Sequence, residues 1–267
     1  MDQKDIDMIF AFPYHDPDGK FNEPFEARLN DMQAAFDEIC ISVTPTTTEY
    51  NHEFLQYLET SGCTLFHNQP GSLLGDHFRA ALHLAVPRGQ PIFYGFIDRV
   101  LFAMDTDWKQ RFLEDLEQYK TRPFTIYDRS QSAWDTHPTN YCEIEQMVSR
   151  ACEWLFGEYL ELGLCAFTVS AETADTIVRQ STCPAIEVLG EWVLLAVAND
   201  IPITTKKVDW LLWEDPHWEG LDEEDFKQAR ERSHQETAKR INMMAPFMLM
   251  MAEDRFRNLH PWIERIP

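Results

Sequence analysis

Apolar and polar positions along the chain follow two periods, and the changes between them mark the elements. The segment "IDMIFAFP" (6–13) is apolar at nearly every position and predicts a strand buried on both faces. In "PFEARLNDMQAAFDEI" (24–39), Phe25, Leu29, Met32 and Phe36 fall on one helical face, and "CISVTP" (40–45) predicts the next strand. The alternation repeats as a helix over 49–62 stopping at Gly62, a strand over 63–68, a helix over 72–86 and a strand over 91–96. Beyond it the pattern predicts a helix over 106–120 capped by Thr106 or Asp107, a strand over 123–128, and one long helix over 136–160 with Pro138 in its first turn. A strand over 164–170, a helix over 171–182, a helical 191–200 and a strand-like 201–214 follow. The stretch 221–256 is a charged helix that becomes rich in methionine (Met243, Met244, Met248, Met250, Met251), with Pro246 expected to kink or break it.

Strands alternating with helices predict an α/β fold, a doubly wound, mostly parallel sheet with a helical C-terminal addition. With no internal repeat and no low-complexity linker, the expected partition is an α/β domain over 1–220 and a helical extension over 221–267 packed on it. Ligands of such sheets bind beyond the carboxyl ends of the strands. That rule directs attention to "PIFYGFIDRVLF" (91–102), where Asp98 and Arg99 stand side by side after an apolar run. A carboxylate among Ile, Phe, Val and Leu costs several kcal/mol unless it is paired, hydrated or bound to a metal. Either Arg99 neutralises Asp98 for structural reasons, or the pair marks a strand end where chemistry is done.

Composition narrows the partners. At 267 residues, 44% hydrophobic and 13% aromatic, the chain has material for a sizeable core. Lys and Arg number 23 against 45 Asp and Glu, a formal charge of -22, so the molecular field repels nucleic acid and anionic membranes. An anionic small ligand stays compatible, because arginines in a cleft act locally while salt screens charges beyond roughly 8–10 Å. The six cysteines (Cys40, Cys63, Cys142, Cys152, Cys165, Cys183) have no zinc or redox spacing and are expected as buried free thiols in a reducing compartment. No run reaches the roughly 18 apolar residues of a membrane span, and the N-terminus has no leader pattern, so a cytoplasmic protein is expected.

Four places together resemble the glycosyltransferase-A-type nucleotide-diphospho-sugar transferases, and within them bacterial proteins similar to mannosylglycerate synthase. They are the first strand ending "FAFPYHD", the helix "GSLLGDHFRAALHLA", the strand end "FYGFIDR", and the later "WDTHP" and "EWVLLA" segments, covering about 5 to 215. The resemblance implies binding of a nucleotide-diphospho-sugar and transfer of its glycosyl group to an acceptor, assisted by Mg²⁺ or Mn²⁺. In that fold a strand ends in Asp-x-Asp, which meets the metal and the ribose. Here the second acid corresponds to Asp98, but Phe96 stands at the first position, which puts the metal and catalysis in question. A hard cation held by Asp98 can still take its other ligands from diphosphate and water.

By the same resemblance Phe12 and Pro13 fall at the nucleotide-binding loop, followed by Tyr14, His15 and Asp16. "HDPDGKF" lacks the acidic spacing of a calcium loop and is read as a turn. Gly71 and Gly75 permit close backbone approach to a ligand, and Arg79, like Arg99, offers a planar fork to diphosphate, with a surface salt bridge as the plain alternative for Arg79. His137 in the Thr-His-Pro segment is a candidate for a metal or a sugar hydroxyl, or else a histidine at a helix start. Glu191, with Glu187 second, is the candidate carboxylate for the acceptor, although an acid at a helix N-terminus is also ordinary electrostatics. Trp210, Trp213 and Trp218 beside Glu214, Asp215 and His217 suit stacking on a sugar, but sealing the core is the simpler reading. No G-x-S-x-G elbow, Walker loop or dinucleotide fingerprint is present.

Two other functions compete with transfer. One is a non-catalytic relative that keeps the fold as a ligand-binding or interaction module, which Phe96 favours. The other is assembly, including homo-oligomers, through the Met-rich C-terminal helix.

Overall fold

The computed structural model describes residues 6–163, 166–257 and 259. Residues 1–5, the Cys165 thiol and the start of the strand expected over 164–170 lie outside the described residues. In chain order the elements are β1 (Ile6–Tyr14), α1 (Asn22–Ala35), β2 (Phe36–Val43), α2 (Pro45–Tyr50), α3 (His52–Thr60), β3 (Thr64–His67), α4 (Leu74–Ala85), β4 (Ile92–Gly95), α5 (Ile97–Asp105), α6 (Lys109–Tyr119) and β5 (Phe124–Arg129). They continue as α7 (Gln131–Thr136), α8 (Thr139–Phe156), β6 (Ala166–Val169), α9 (Ala171–Gln180), α10 (Val188–Ala198), β7 (Ile203–Val208), α11 (Asp215–Glu219), α12 (Glu223–Glu231) and α13 (His234–Met251).

The strands form one seven-stranded sheet in the order β3-β2-β1-β4-β6-β5-β7. β1 pairs in parallel with β2 and β4, β2 in parallel with β3, and β4 antiparallel with β6, so the sheet is mostly parallel, as expected. The chain winds outward from β1 through β2 to β3 and then returns to the other side of β1 with β4. The C-terminal ends of β1 and β4 are therefore the topological switch point, where the connections leaving neighbouring strands diverge and open a crevice.

Contacts divide the chain into two compact units, residues 1–125 with 165–180, and residues 126–164 with 181–267. In the first, both faces of the sheet are buried. Phe10, Phe12, Phe36 and Phe93 pack against one another and meet Phe25 of α1 and Phe112 of α6. Tyr94 points the other way, to Phe78 of α4 and Phe167 of β6. This two-sided burial is why β1 reads as an unbroken apolar run. In the second unit α13 packs on α8 and α10, burying Met244, Phe247, Met250 and Met251. The expected boundary at 220 does not coincide with this division.

Several boundaries differ from expectation for physical reasons. Phe36, expected on the face of α1, opens β2, because its ring stacks on Phe93 and packs tilted against Phe10 and its backbone pairs with Ile6. The expected helix over 49–62 is two helices meeting at Asn51, whose amide is held by Asn22 and the Asp16 carbonyl. The helix expected over 136–160 begins at Thr139, since His137 and Pro138 are extended, and ends at Gly157, whose φ of 86° is the left-handed stop. Pro246 lies inside α13 without ending it, and the buried methionines and Phe247 hold the helix across that point. The strand end holding Asp98 is in fact the first turn of α5, a helix announced by Ile97, Val100, Leu101 and Met104 at helical spacing. Among the described residues no helix is long and apolar enough to cross a membrane.

Candidate functional site

A cleft of about 190 Å³ lies in the first unit at the carboxyl ends of β1, β2 and β4, lined by Pro13 near the end of β1 and His15 just after it, Thr44 after β2, and Phe96, Ile97 and Asp98 after β4. Phe21, Leu74, His77 and Phe78 complete it. The backbone at its floor is tied strand to strand, with the Thr44 N–H donating to the Tyr14 carbonyl at 3.0 Å. Thr44 Oγ1 is 2.9 Å from His15 Nδ1 and 3.0 Å from Thr47 Oγ1, which accepts the Asp16 N–H at 2.8 Å. Asp16 is buried and its carboxylate takes the Tyr14 hydroxyl and the N–H groups of Lys20 and Phe21, so "HDPDGKF" is a turn that fixes Phe21 at the cleft. Gly95 is the last residue of β4, and a Cβ there would stand 2.9 Å from the Phe93 ring, so the position suits glycine.

The walls are aromatic: Phe78 meets Phe96 edge to face at 5.7 Å between ring centres. Phe96 thus replaces a potential metal ligand with a ring. His77 is buried, its Nε2 is 2.7 Å from Ser72 Oγ, and its Nδ1 has no hydrogen-bond partner among the described residues. Burial, opposed by Asp76 and aided by His15, lowers its pKa, which keeps the ring neutral at neutral pH. Asp98 sits in the first turn of α5, where its Oδ1 accepts the Arg99 N–H at 2.8 Å and where a negative charge suits the helix dipole. Among the described residues, no group of three or more His, Cys, Asp or Glu is placed to hold a metal. Asp98 fits a cation only in the mode where phosphate and water supply the remaining oxygens.

The other expected residues are placed differently. Phe12 is fully buried among Phe10, Tyr14 and Phe25, so its side chain belongs to the core. Arg79 donates to Asp76 at 2.6 Å on α4, the salt-bridge alternative. Neither Arg79 nor Arg99 is among the residues lining the cleft, and neither are Gly71 and Gly75. Gly71 adopts a φ of 87° before α4, a turn only glycine takes easily.

His137 and Glu191 belong to the second unit. His137 is buried at the end of α7, with Nδ1 2.9 Å from the Ala133 carbonyl, an environment closed to a sugar hydroxyl. Glu191 is wholly buried and accepts from Ser181 Oγ at 2.5 Å, from the N–H groups of Thr182 and Cys183, and from Arg255 at 2.5 Å. Burial pushes its carboxyl up, but the donors from Ser181, Thr182, Arg255 and Cys183 outweigh that and bring it below the usual carboxylate range. It is an anchor for the 181–183 segment, with its lone pairs consumed, and not a group that reaches an acceptor. Trp210 and Trp213 are core residues, Trp210 against Tyr127 and Trp213 stacked on Phe226.

The end of β5 carries a second polar cluster. Arg129 is buried, pairs with Glu161 and Glu145, and lies 3.6 Å over the Trp134 ring, while Arg240 meets Glu145 at 2.8 Å. Beside it, burial and then the Glu161 charge push the Asp128 carboxyl up to about 8. Thr44, His77 and Phe78 in the cleft and Glu161 in this cluster escaped sequence reasoning. Both His77 and Phe78 stand on the buried side of α4, where the i, i+4, i+7 spacing of Phe78, Leu82 and Ala85 is the local signal that could have found them, but nothing local joins Arg129 to Glu161.

No protein-family model and no curated protein matches the chain. Among solved structures it is similar to glucosyl-3-phosphoglycerate synthase from Mycobacterium tuberculosis in complex with uridine diphosphate, at 10% identity and a TM-score of 0.51 over 91% of this chain and 79% of that one. A structure of the same enzyme with Mn²⁺, uridine diphosphate and glucosyl-3-phosphoglycerate matches at 9% identity and a TM-score of 0.46 over 76% of this chain and 70% of that one. At 10% identity the first likeness speaks to the fold alone: the chain shares that enzyme's α/β architecture, a mostly parallel sheet flanked by helices.

Proposed function

We propose that the chain binds a nucleotide-activated sugar in the cleft at the β1/β4 switch point and transfers the glycosyl group to an acceptor. The observation that carries this reading is the cleft itself, at the edge where doubly wound sheets take their ligands, with flat rings of Phe21, Phe78 and Phe96 for a base or sugar and Asp98 at its margin. Among the described lining residues none is Arg or Lys. A diphosphate there needs another source of positive charge, and Asp98 is the residue that would hold Mg²⁺ or Mn²⁺ for it. Such an ion supplies Lewis-acid neutralisation of the departing nucleotide diphosphate. Pro13 and Phe96 exclude water from the ligand's apolar surface, and the His15–Thr44 pair offers hydroxyl and imidazole groups to ribose or sugar. The neutral His77 ring adds no charge.

The second reading is a relative that binds the nucleotide-sugar without transferring it. Phe96 in place of the first acid favours it, as does the burial of Glu191 away from any acceptor. A thermal-shift screen with UDP-, GDP-, ADP- and CDP-sugars, each with and without Mn²⁺ or Mg²⁺, tests the binding common to both, since a ligand at 100 times its dissociation constant adds about 2.7 kcal/mol of stability. One nucleotide with a strictly metal-dependent shift supports the site; no shift with any of them removes it. Release of free nucleotide in the presence of acceptors then separates transfer from binding alone.

A further inference from the structure

A cleft of about 230 Å³ opens within the second unit, lined by Thr182, Cys183 and Pro184, by Glu187 at the start of α10, by Pro246, Leu249 and Met250 of α13, and by Glu253 and Arg255. The arginine invites an anionic ligand, but its charge is already taken. Arg255 Nε donates to Glu253 at 2.6 Å and Nη1 to the buried Glu191 at 2.5 Å, while further bonds reach Thr182 Oγ1 and Cys183 Sγ. Two carboxylates therefore face one guanidinium before Glu187 is counted.

Glu187 is the unbalanced group. It is 5% exposed, its Oε1 accepts the Ala185 N–H at 3.2 Å, and its Oε2 has no hydrogen-bond partner among the described residues. A buried acceptor left without a donor carries a desolvation penalty of about 1–3 kcal/mol, more when it is charged. A ligand that brings a donor relieves it, and one that brings a positive charge relieves it most. Around this carboxylate the walls are Pro184, Pro246, Leu249 and Met250, with Leu249 73% exposed at the surface. The chain's charge of -22 raises the local concentration of cations of any kind.

We propose that this cleft binds a protonated primary amine on an apolar stem, the ammonium against Glu187 and the methylenes along Pro184, Pro246, Leu249 and Met250. An ammonium has three donors and no acceptor, which matches a carboxylate oxygen with none to spare it. A free alkylamine and the side chain of a partner's lysine share this chemistry.

The test follows the ¹³C-methyl resonance of Met250 in the full chain, at fixed ionic strength, during titration with n-pentylammonium, pentanol and Nα-acetyl-lysinamide. The expected result is a saturable shift with pentylammonium, none with pentanol at equal concentration, and a loss of affinity of roughly tenfold in Glu187→Gln. Glu224→Gln, the same charge change on the exposed face of α12, is expected to bind as the unaltered chain does. If Glu187→Gln fails to fold, Leu249→Ser serves instead, because its side chain is exposed; it is expected to weaken pentylammonium while leaving methylammonium unchanged. Tighter binding of Nα-acetyl-lysinamide than of pentylammonium assigns the site to a partner's lysine, and the reverse assigns it to a free amine. Equal shifts from pentanol and pentylammonium, equal affinities in the Glu187 and Glu224 variants, or no shift at all would overturn the proposal. None of these outcomes bears on nucleotide-sugar binding in the first unit.

Discussion

The carboxylate of Glu191 lies 2.5 Å from Nη1 of Arg255, 64 positions further along the chain, and no surface of that carboxylate is left to solvent. The pair joins the first half of α10 to the residues after α13, while the same carboxylate holds the Thr182 and Cys183 N–H groups. Removing it takes one of two carboxylates from the Arg255 guanidinium, which keeps Glu253, and strips the acceptor from the Thr182 and Cys183 N–H groups. Glu191→Ala is expected to cost about 3–5 kcal/mol, read as a lower urea midpoint with an unchanged slope. Because its donors hold the Glu191 pKa below the usual range, this stability is present above pH 4.5, the ordinary glutamate value, and is lost as pH falls through the depressed value. A variant of normal stability with no glycosyl transfer would restore Glu191 as a catalytic base.

Asp98 is expected to behave in the opposite way. Its side chain lines the cleft and stands in the first turn of α5, where the helix dipole contributes about 0.3–1 kcal/mol. Asp98→Asn therefore leaves the melting temperature without ligand nearly unchanged and abolishes the metal-dependent shift with nucleotide-sugars. A large loss of ligand-free stability, with the shift retained, identifies Asp98 as structural.

The contrast between these two acids shows what the sequence discloses. β1, β4 and α4 were legible because each buries a face whose period is written locally, and the parallel sheet follows from their alternation with helices. Asp98 was legible because a charge interrupts an apolar run at a strand's end. Glu191 looked the same on paper, an acid ahead of "WVLLA", but its meaning depends on Ser181 and Arg255, which spacing does not reveal. Phe36 shows the same limit: its position suits the α1 face, and only the rings of Phe10 and Phe93 decide for the strand.

The cluster at the end of β5 gives stability an alkaline weakness. Burial and the neighbouring Glu161, opposed by Lys207 and Arg129, raise Asp128 from 3.8 to about 8. Between those values the folded chain binds a proton that the unfolded chain has released, so this group's contribution to stability falls as pH rises through that window. Asp128→Asn removes the proton from the balance. Its urea midpoint, relative to the unaltered chain, is expected to improve from pH 5 to pH 8.5. A constant difference across that range would show Asp128 to be ionised in the folded state.

Gly190 sets how closely α10 and α13 approach. A Cβ built there stands 2.9 Å from Phe247 Cδ1 and 3.2 Å from the Met250 methyl, both on α13. The Phe247 ring is fully buried, so it has no open side to turn toward, whereas the methionine end is flexible. Gly190→Ala gains helix propensity of about 1 kcal/mol but forces the helices apart, at a cost of about 1–3 kcal/mol for overpacking. The net expectation is a lower melting temperature. Phe247→Leu in the same chain makes room for the added methyl, and the double variant is expected to lose less than the sum of the two single changes. Additive losses would mean that Phe247 and residue 190 do not share the contact that fixes this helix pair.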